Sequence, residues 1–195
     1  MIKTTAMLLQ ELSDYDRPAD KLSRMTKSGK YTRIIKELYE TDSTTPGYRL
    51  AGSIYGPSYL SFDFALAHYG LIPEAVYTFT SATFEKKKRK SYKTPFGTFT
   101  YRDVPAAVYP FGIEMIREDG YIFQMASPEK ALCDKLYTMH PVTNQKEMQT
   151  LLFEDLRIDE TELGRCRQEN LEFLAGKYPS TNVRKFCGLM RGKRK

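Results

Sequence analysis

The sequence predicts an α+β fold, with a small N-terminal winged-helix-like domain followed by a larger mixed α/β domain whose C-terminal third is helical. Three observations lead to this prediction. The 195 residues are 41% hydrophobic and 13% aromatic, which is enough apolar material for a packed core. A helix, a glycine and a hairpin-like segment follow one another within the first forty residues. Strand-like segments then recur as far as residue 125, and helix-like segments alone come after it.

The first forty residues are interpreted as two short helices and a hairpin. One helix is expected at 4–12, where apolar residues have helical spacing, and a second at 18–27, where a proline suits the first turn. Gly29 is expected to end the second helix. The hairpin joins the β-leaning segments 31–35 and 38–39.

The stretch 40–58 is rich in turn-forming residues, which places a domain boundary within it. We therefore predict a first domain at 1–45 and a second at 46–195. In the second domain, Ser61 is the expected cap of a helix that is closed by Gly70. Strands are predicted at 75–80, 96–102 and 121–125.

The C-terminal third begins with a strong helix start, Ser127-Pro128-Glu129. It combines a hydroxyl cap, a proline in the first turn and a carboxylate near the positive end of the helix dipole. The spacing of apolar residues predicts further helices at 145–153, 161–174 and 182–190.

The formal net charge of +6 is distributed unevenly along the chain. The window 17–36 carries +6 by itself, because it has one acid, Asp20, and seven bases: Arg17, Lys21, Arg24, Lys27, Lys30, Arg33 and Lys36. The windows 83–102 and 184–195 also sum to +6 each, and the stretch 145–172 contains eight acids and four bases. Such basic blocks favour polyanionic partners.

The first basic block is the predicted site for double-stranded DNA. In a winged-helix arrangement, one helix enters the major groove while the hairpin lies against the backbone, so bases are needed on both. Here the helix would present Arg17, Lys21, Arg24 and Lys27, and the hairpin Lys30, Arg33 and Lys36. Composition and spacing alone leave this interpretation open against that of an ordinary solvated surface helix.

The second block contains the densest charge run, which consists of Lys86, Lys87, Lys88, Arg89 and Lys90. Two interpretations stay open for it. The run is either a mobile hairpin tip or a second contact to nucleic acid or to an acidic protein. The third block, at the C-terminus, is expected to be a solvated tail.

No catalytic, metal-binding or cofactor-binding pattern is recognisable in the sequence. The two histidines, His68 and His140, lack metal-ligand spacing, and the three cysteines are far apart, with Cys133 expected in the core. Phosphate-binding loops, nucleophile elbows and H-E-x-x-H are not found. We therefore expect a non-enzymatic protein. Because no stretch resembles a membrane span or a cleavable leader, we also expect it to be cytoplasmic.

Several segments together resemble the AbiEi-type antitoxins. They are Asp20–Lys30, Arg33–Ile34, Leu38–Tyr39, Tyr59–Ser61, Ala65–Glu74, Val76–Tyr77, Thr80, Thr83, Thr94, Phe96–Gly97, Phe99, Tyr101, Ala126–Leu132, Asp134 and Tyr137. Proteins of this family regulate type IV toxin–antitoxin modules of phage defence, in which the toxin is a nucleotidyltransferase-like protein. The resemblance implies an N-terminal winged helix that represses the module's own promoter. It also implies a larger domain that supports protection against the toxin, without a need for direct toxin binding.

Two features depart from the family pattern. Glu37 stands where the wing usually carries glycine, and the N-terminal part has one helix fewer than a full winged helix. They favour an alternative, which is a non-enzymatic protein- or RNA-interaction module with a degenerate DNA-binding end and a basic contact at 86–90. The main prediction is an antitoxin and transcriptional autorepressor that binds its own promoter DNA.

Overall fold

The computed structural model describes residues 1–193, and in this part of the chain the protein is a mixed α+β structure. A three-stranded sheet lies near the N-terminus and a six-stranded sheet lies in the rest. A small apolar core underlies the first sheet, and one large core accounts for the other buried hydrophobic side chains. The predicted α+β class is confirmed.

The N-terminal unit, residues 1–41, runs from a strand through two helices into a hairpin. Its elements are β1 (Ile2–Thr4), α1 (Thr5–Glu11), α2 (Pro18–Lys27), β2 (Thr32–Ile35) and β3 (Leu38–Glu40). β3 pairs antiparallel with both β1 and β2. The two predicted helices and the hairpin are confirmed, whereas β1 is too short to show an alternation in the sequence. The winged-helix assignment stays a prediction.

The small core of the N-terminal unit is formed by four buried side chains: Leu8 of α1, Leu12 just after it, Leu22 of α2 and Tyr31 just before β2. The Thr4 hydroxyl caps α1 by accepting a hydrogen bond from the backbone N–H of Met7 at 3.2 Å. Gly29 follows α2 with a φ of +79°, a conformation that glycine adopts without strain. The small core therefore fixes which face of α2 points away from the sheet.

The larger unit, residues 42–193, is built on a mixed sheet. Its strands are β4 (Tyr59–Leu60), β5 (Thr78–Thr83), β6 (Lys90–Thr94), β7 (Gly97–Asp103), β8 (Ile113–Glu118) and β9 (Tyr121–Ala126). The order across the sheet is β6–β7–β5–β4–β9–β8. The pairs β5–β7 and β4–β9 are parallel, and the other neighbours are antiparallel.

Seven α-helices belong to this unit within the described residues. They are α3 (Ala51–Ile54), α4 (Phe62–His68), α5 (Pro128–Tyr137), α6 (Gln145–Thr150), α7 (Glu160–Arg165), α8 (Gln168–Ala175) and α9 (Thr181–Lys193). A 3₁₀ turn, Gly47–Leu50, precedes α3, and a π turn, Leu151–Asp155, continues α6. The predicted helix start at Ser127 is confirmed, because its hydroxyl accepts a hydrogen bond from the backbone N–H of Lys130 at 3.3 Å.

Several elements differ from the sequence prediction. The strand expected at 75–80 is β5, which begins three residues later, and the turn-rich stretch 40–58 contains a 3₁₀ turn and α3. The single helix expected at 161–174 is two helices. They are separated because the Glu129 carboxylate accepts a hydrogen bond at 2.7 Å from the backbone N–H of Arg167, where the chain is extended.

The start of α4 is capped differently from the expectation. Ser61 occupies the cap position, but its hydroxyl donates to the carboxylate of Asp134 at 2.7 Å instead of capping the helix. Thr80 of β5 takes over this role. Its hydroxyl oxygen accepts a hydrogen bond from the backbone N–H of Phe64 at 3.0 Å and donates to the carbonyl of Ser61 at 2.6 Å. A neighbouring strand therefore fixes the beginning of α4.

The two units are joined by packed residues. Ile34 of β2 is buried in the large core, 4% exposed. Within the larger unit, Arg49, 9% exposed, forms ion pairs with Glu118 at 3.1 Å and Asp119 at 2.7 Å, and so ties the 3₁₀ turn to the end of β8 and the turn that follows it. The hydrogen bond from Arg49 lowers the pKa of Glu118. Removal of residues 1–45 would therefore also remove part of the larger unit's core.

Candidate functional site

The outer face of α2 is the first candidate site. Successive residues of an α-helix are rotated by about 100° around its axis. Arg24 and Lys27 therefore lie about 160° and about 140° around the helix from Leu22, which is buried in the small core. Both bases are exposed, and neither forms an ion pair with any residue of the described part of the chain. The helix therefore presents two uncompensated positive charges on the side opposite its packing face.

Two further bases lie at the beginning of α2, and both have a neighbour that moderates their charge. Arg17, at the N-cap, forms an exposed ion pair with Asp20 at 2.7 Å. The Lys21 ammonium lies 4.4 Å above the centre of the Tyr15 ring, a cation–π geometry. Positive charge is therefore least compensated near the C-terminal end of α2.

The hairpin carries the other three predicted bases, all exposed. Lys30 has no ion pair among residues 1–193, and the Arg33 Nε donates to the carbonyl of Ile35 at 3.3 Å. Lys36 lies 3.8 Å from Glu37, with which it forms the turn of the hairpin. Glu37 has a φ of +67°, in the left-handed region that glycine adopts most easily. The positive φ at position 37 explains why a glycine would suit this turn.

The second basic cluster is not a hairpin tip, contrary to one of the two interpretations of its sequence. Residues 84–89 connect β5 to β6, and β7 lies between these strands, so the connection crosses the end of β7. There Asp103 accepts hydrogen bonds from the backbone N–H of Lys87 at 2.7 Å and from the Thr83 hydroxyl at 2.6 Å. The Lys86 ammonium donates to the Gly56 carbonyl at 3.1 Å. The loop is therefore anchored at its β5 end and in its middle.

Two adjoining grooves flank this loop. The first groove, of about 360 Å³, is lined by residues that include Phe62, Asp63, Arg89 and Arg102. The second groove, of about 410 Å³, shares both arginines and adds Tyr137 among others. Arg102 is half-buried, and its guanidinium lies 6.0 Å from the centre of the Phe62 ring. Burial lowers the pKa of Arg102, and the nearby charge of Arg89 lowers it further.

A buried polar network was missed at the sequence level. Lys130 and Asp134 of α5 are both fully buried and form an ion pair at 3.3 Å. The Lys130 ammonium also donates to the Val108 carbonyl at 3.0 Å and to the Tyr178 hydroxyl at 2.7 Å. Burial lowers the pKa of Lys130. The available signal was the spacing of Lys130 and Asp134, four residues apart and on either side of the apolar run Ala131-Leu132-Cys133.

The Asp134 carboxylate is the centre of this network. It accepts hydrogen bonds from Tyr59 at 2.9 Å, from Ser61 at 2.7 Å and from Tyr178 at 2.6 Å. The network joins β4, α5 and the segment between α8 and α9, and every member is buried. Its donors and acceptors are paired with one another, and none of its side chains lines the two grooves described above. We therefore assign the network a role in stability. Two of the residues by which the chain resembles the AbiEi-type antitoxins, Lys130 and Asp134, have this role.

The other reactive side chains do not form a site. All three cysteines are buried, and burial raises the pKa of the Cys133 thiol. His68 and His140 are exposed. Within residues 1–193 no three His, Cys, Asp or Glu side chains are grouped so as to hold a metal ion. No helix in the same range is long and apolar enough to cross a membrane.

The third basic block belongs mainly to α9. Arg191 pairs with Glu172 of α8 at 2.7 Å, and the Lys185 ammonium donates to the Val142 carbonyl. Arg194 and Lys195 lie outside the described residues. The described part of this block is therefore a helix with side chains bonded to its neighbours and not a separate tail.

Comparison with known proteins adds no family assignment: no protein-family model matches the chain, and a search of curated proteins found no match. The likeness to AbiEi-type antitoxins therefore rests on the matched residues alone.

Proposed function

We propose that this protein is a transcriptional autorepressor and antitoxin of a type IV toxin–antitoxin module. The observation that carries the DNA-binding half is the outer face of α2, which presents Arg24 and Lys27 with no compensating acid. Lys30 and Arg33 on the following hairpin supply bases beside it. The antitoxin half is supported by the resemblance of the segments between residues 18 and 140.

Helix α2 has the placement that a groove-binding helix needs. Its apolar side is taken up by the small core, and its charged side is free to meet a polyanion. In this proposal the helix enters the major groove of promoter DNA while the hairpin follows the phosphate backbone. Each neutralised phosphate releases counterions, so the logarithm of affinity falls with the logarithm of salt concentration by about 0.9 for each contact.

A gel-shift titration on the protein's own upstream DNA, repeated over a salt series, tests the DNA-binding half. We expect the Arg24→Ala, Lys27→Ala double variant to bind more weakly. The slope of log affinity against log salt should decrease by about 1.8, which corresponds to two lost phosphate contacts. If this variant binds the DNA with wild-type affinity, α2 is not the helix that enters the major groove.

A matched control removes the same charge elsewhere. Arg117 on β8 and Lys146 on α6 are exposed and form no ion pair within the described residues, so the Arg117→Ala, Lys146→Ala variant also loses two positive charges. We expect this variant to keep most of its affinity and its salt slope. Equal losses in the two variants would indicate an effect of net charge without a defined interface.

The antitoxin half is tested by co-expression with the product of the neighbouring gene, which this proposal requires to be a nucleotidyltransferase-like toxin. Point variants suit this test better than deletion of residues 1–45, because deletion removes Ile34 from the large core. The Arg24→Ala, Lys27→Ala variant should still protect cells, since protection is assigned to the larger unit. Failure of the wild-type protein to protect would refute the antitoxin assignment and leave DNA binding to be judged by the gel shift.

Of the two features that favour the alternative of a degenerate DNA-binding end, the position of Glu37 at the hairpin turn can be tested directly. A carboxylate there would lie close to the DNA backbone, and its φ of +67° is strained for a residue with a side chain. Glu37→Gly should therefore raise both DNA affinity and stability if the hairpin contacts DNA. Under the alternative it raises stability alone.

A further inference from the structure

The two grooves beside the loop at 84–89 have an excess of positive charge that the protein does not neutralise. Their lining contains two acids and five bases: Lys87, Lys88, Arg89, Lys90 and Arg102. Both acids are already engaged. Asp63 pairs with Lys135 of α5 at 2.5 Å, and Asp103 accepts the two hydrogen bonds that anchor the loop. Neither Arg89 nor Arg102 forms an ion pair with any residue from 1 to 193.

Arg102 belongs to β7 and is half-buried. Its guanidinium lies 6.0 Å from the centre of the Phe62 ring and forms no ion pair within residues 1–193, so its N–H groups are available to a ligand. Arg89 lines both grooves together with Arg102. Two guanidinium groups therefore border the same space, and a bound anion would offset the repulsion between them.

We infer that Arg89 and Arg102 form a binding site for a phosphate group. The planar guanidinium group binds both carboxylates and phosphates through bidentate hydrogen bonds. A phosphate monoester carries a charge of about −1.5 to −2 at neutral pH, so it matches two arginines better than a single carboxylate does. The first groove, at about 360 Å³, lies within the range of small-molecule sites and has room for more than the phosphate. The phosphate belongs either to a mononucleotide, where this monoester charge applies, or to a nucleic-acid strand that follows both grooves and brings one negative charge with each diester phosphate.

This site is independent of the proposed DNA-binding helix, so the test is made in the Arg24→Ala, Lys27→Ala background. Isothermal titration is carried out with adenosine 5′-monophosphate, with adenosine, and with a single-stranded RNA octamer. If the phosphate comes from a small ester, the monophosphate binds and adenosine does not. If it comes from a strand, the octamer binds and the monophosphate does not. Either result supports the site if the Arg89→Gln and Arg102→Gln variants weaken the binding that is observed.

Arg89→Gln and Arg102→Gln should each weaken the observed binding by about tenfold or more, the effect of losing one charged hydrogen-bonding group. Arg89 is exposed, so its variant is expected to fold even if loss of the half-buried Arg102 perturbs the sheet. Arg117→Gln is the matched control, because Arg117 is an exposed arginine on β8, the opposite edge strand of the same sheet. We expect it to bind as the background protein does.

Any of four results would overturn the inference, and the first three concern the probes and the control. They are the absence of binding by both phosphate-bearing probes at about 1 mM, equal binding of adenosine and its monophosphate without octamer binding, and equal losses in the Arg117→Gln and Arg89→Gln variants. Binding that both Arg89→Gln and Arg102→Gln leave unchanged would also reject the site, because the ligand would then lie elsewhere.

Discussion

Replacement of Asp134 by asparagine is expected to destabilise the protein strongly. The carboxylate is fully buried and receives hydrogen bonds from three hydroxyl groups as well as the ion pair with Lys130. Asparagine has nearly the same volume, so packing changes little. Its amide nitrogen, however, cannot accept the hydrogen bonds that reach one carboxylate oxygen. The variant also leaves the Lys130 ammonium buried without a counter-charge.

The magnitude follows from the burial of the pair. Removal of one partner from a buried ion pair costs about 3–5 kcal/mol of unfolding free energy, because the remaining charge is neither solvated nor paired. For a chain of this size that loss lowers the melting temperature by roughly 6–20 °C. Urea unfolding followed by circular dichroism measures the free energy, and a thermal melt provides the second value. Glu172→Gln, which breaks an exposed pair with Arg191, is the control and should cost at most about 1 kcal/mol.

A double-mutant cycle distinguishes the ion pair from simple loss of packing. Lys130→Met should be costly in the wild-type background and much less so in the Asp134→Asn background, where it removes an unpaired charge. We expect a coupling energy of at least about 1 kcal/mol. Additive effects, or an Asp134→Asn loss no larger than that of the control, would refute the assignment of this network to stability.

Two further predictions concern the larger unit. Thr80→Val removes the hydroxyl that caps α4 and should lower the free energy of unfolding in urea by about 1–2 kcal/mol. Thr100→Val, at the paired position on β7, is the control. It should cost less, because the Thr100 hydroxyl makes no hydrogen bond within residues 1–193. Burial raises the pKa of Tyr109 to about 12 and that of Tyr101 still further. The folded chain therefore keeps tyrosine protons that the unfolded chain loses above about pH 10, and the free energy of unfolding should fall as pH rises beyond that value. Ultraviolet titration of the phenolate bands, together with urea midpoints at two alkaline pH values, checks this prediction; an unchanged midpoint would contradict it.

Local sequence patterns predicted the elements whose determinants are close together in the chain. Helix α2 begins with a proline and ends before Gly29, and α5 begins with a proline and an acid after a hydroxyl cap. In each case the atoms that stabilise the end of the helix lie within a few residues of it. The basic character of α2 was equally visible, because helical spacing alone separates Arg24 from Leu22.

Contacts between distant parts of the chain decided the features that the sequence did not reveal. The cap of α4 comes from Thr80, and the break between α7 and α8 is stabilised by Glu129. In both cases a side chain remote in sequence satisfies a backbone N–H, which no local pattern can report.

By itself, the sequence determined the α+β class, the helix and hairpin of the N-terminal unit, and the places where positive charge is concentrated. The tertiary structure alone decided which charged side chains are buried and which distant ones meet. Lys130 and Asp134 are both fully buried and the Lys86 ammonium donates to the Gly56 carbonyl, while Arg89 and Arg102, thirteen positions apart, line the same groove. The physical reason is that local spacing sets the shape of a segment, whereas the pairing of a charge depends on which distant strands the sheet brings together.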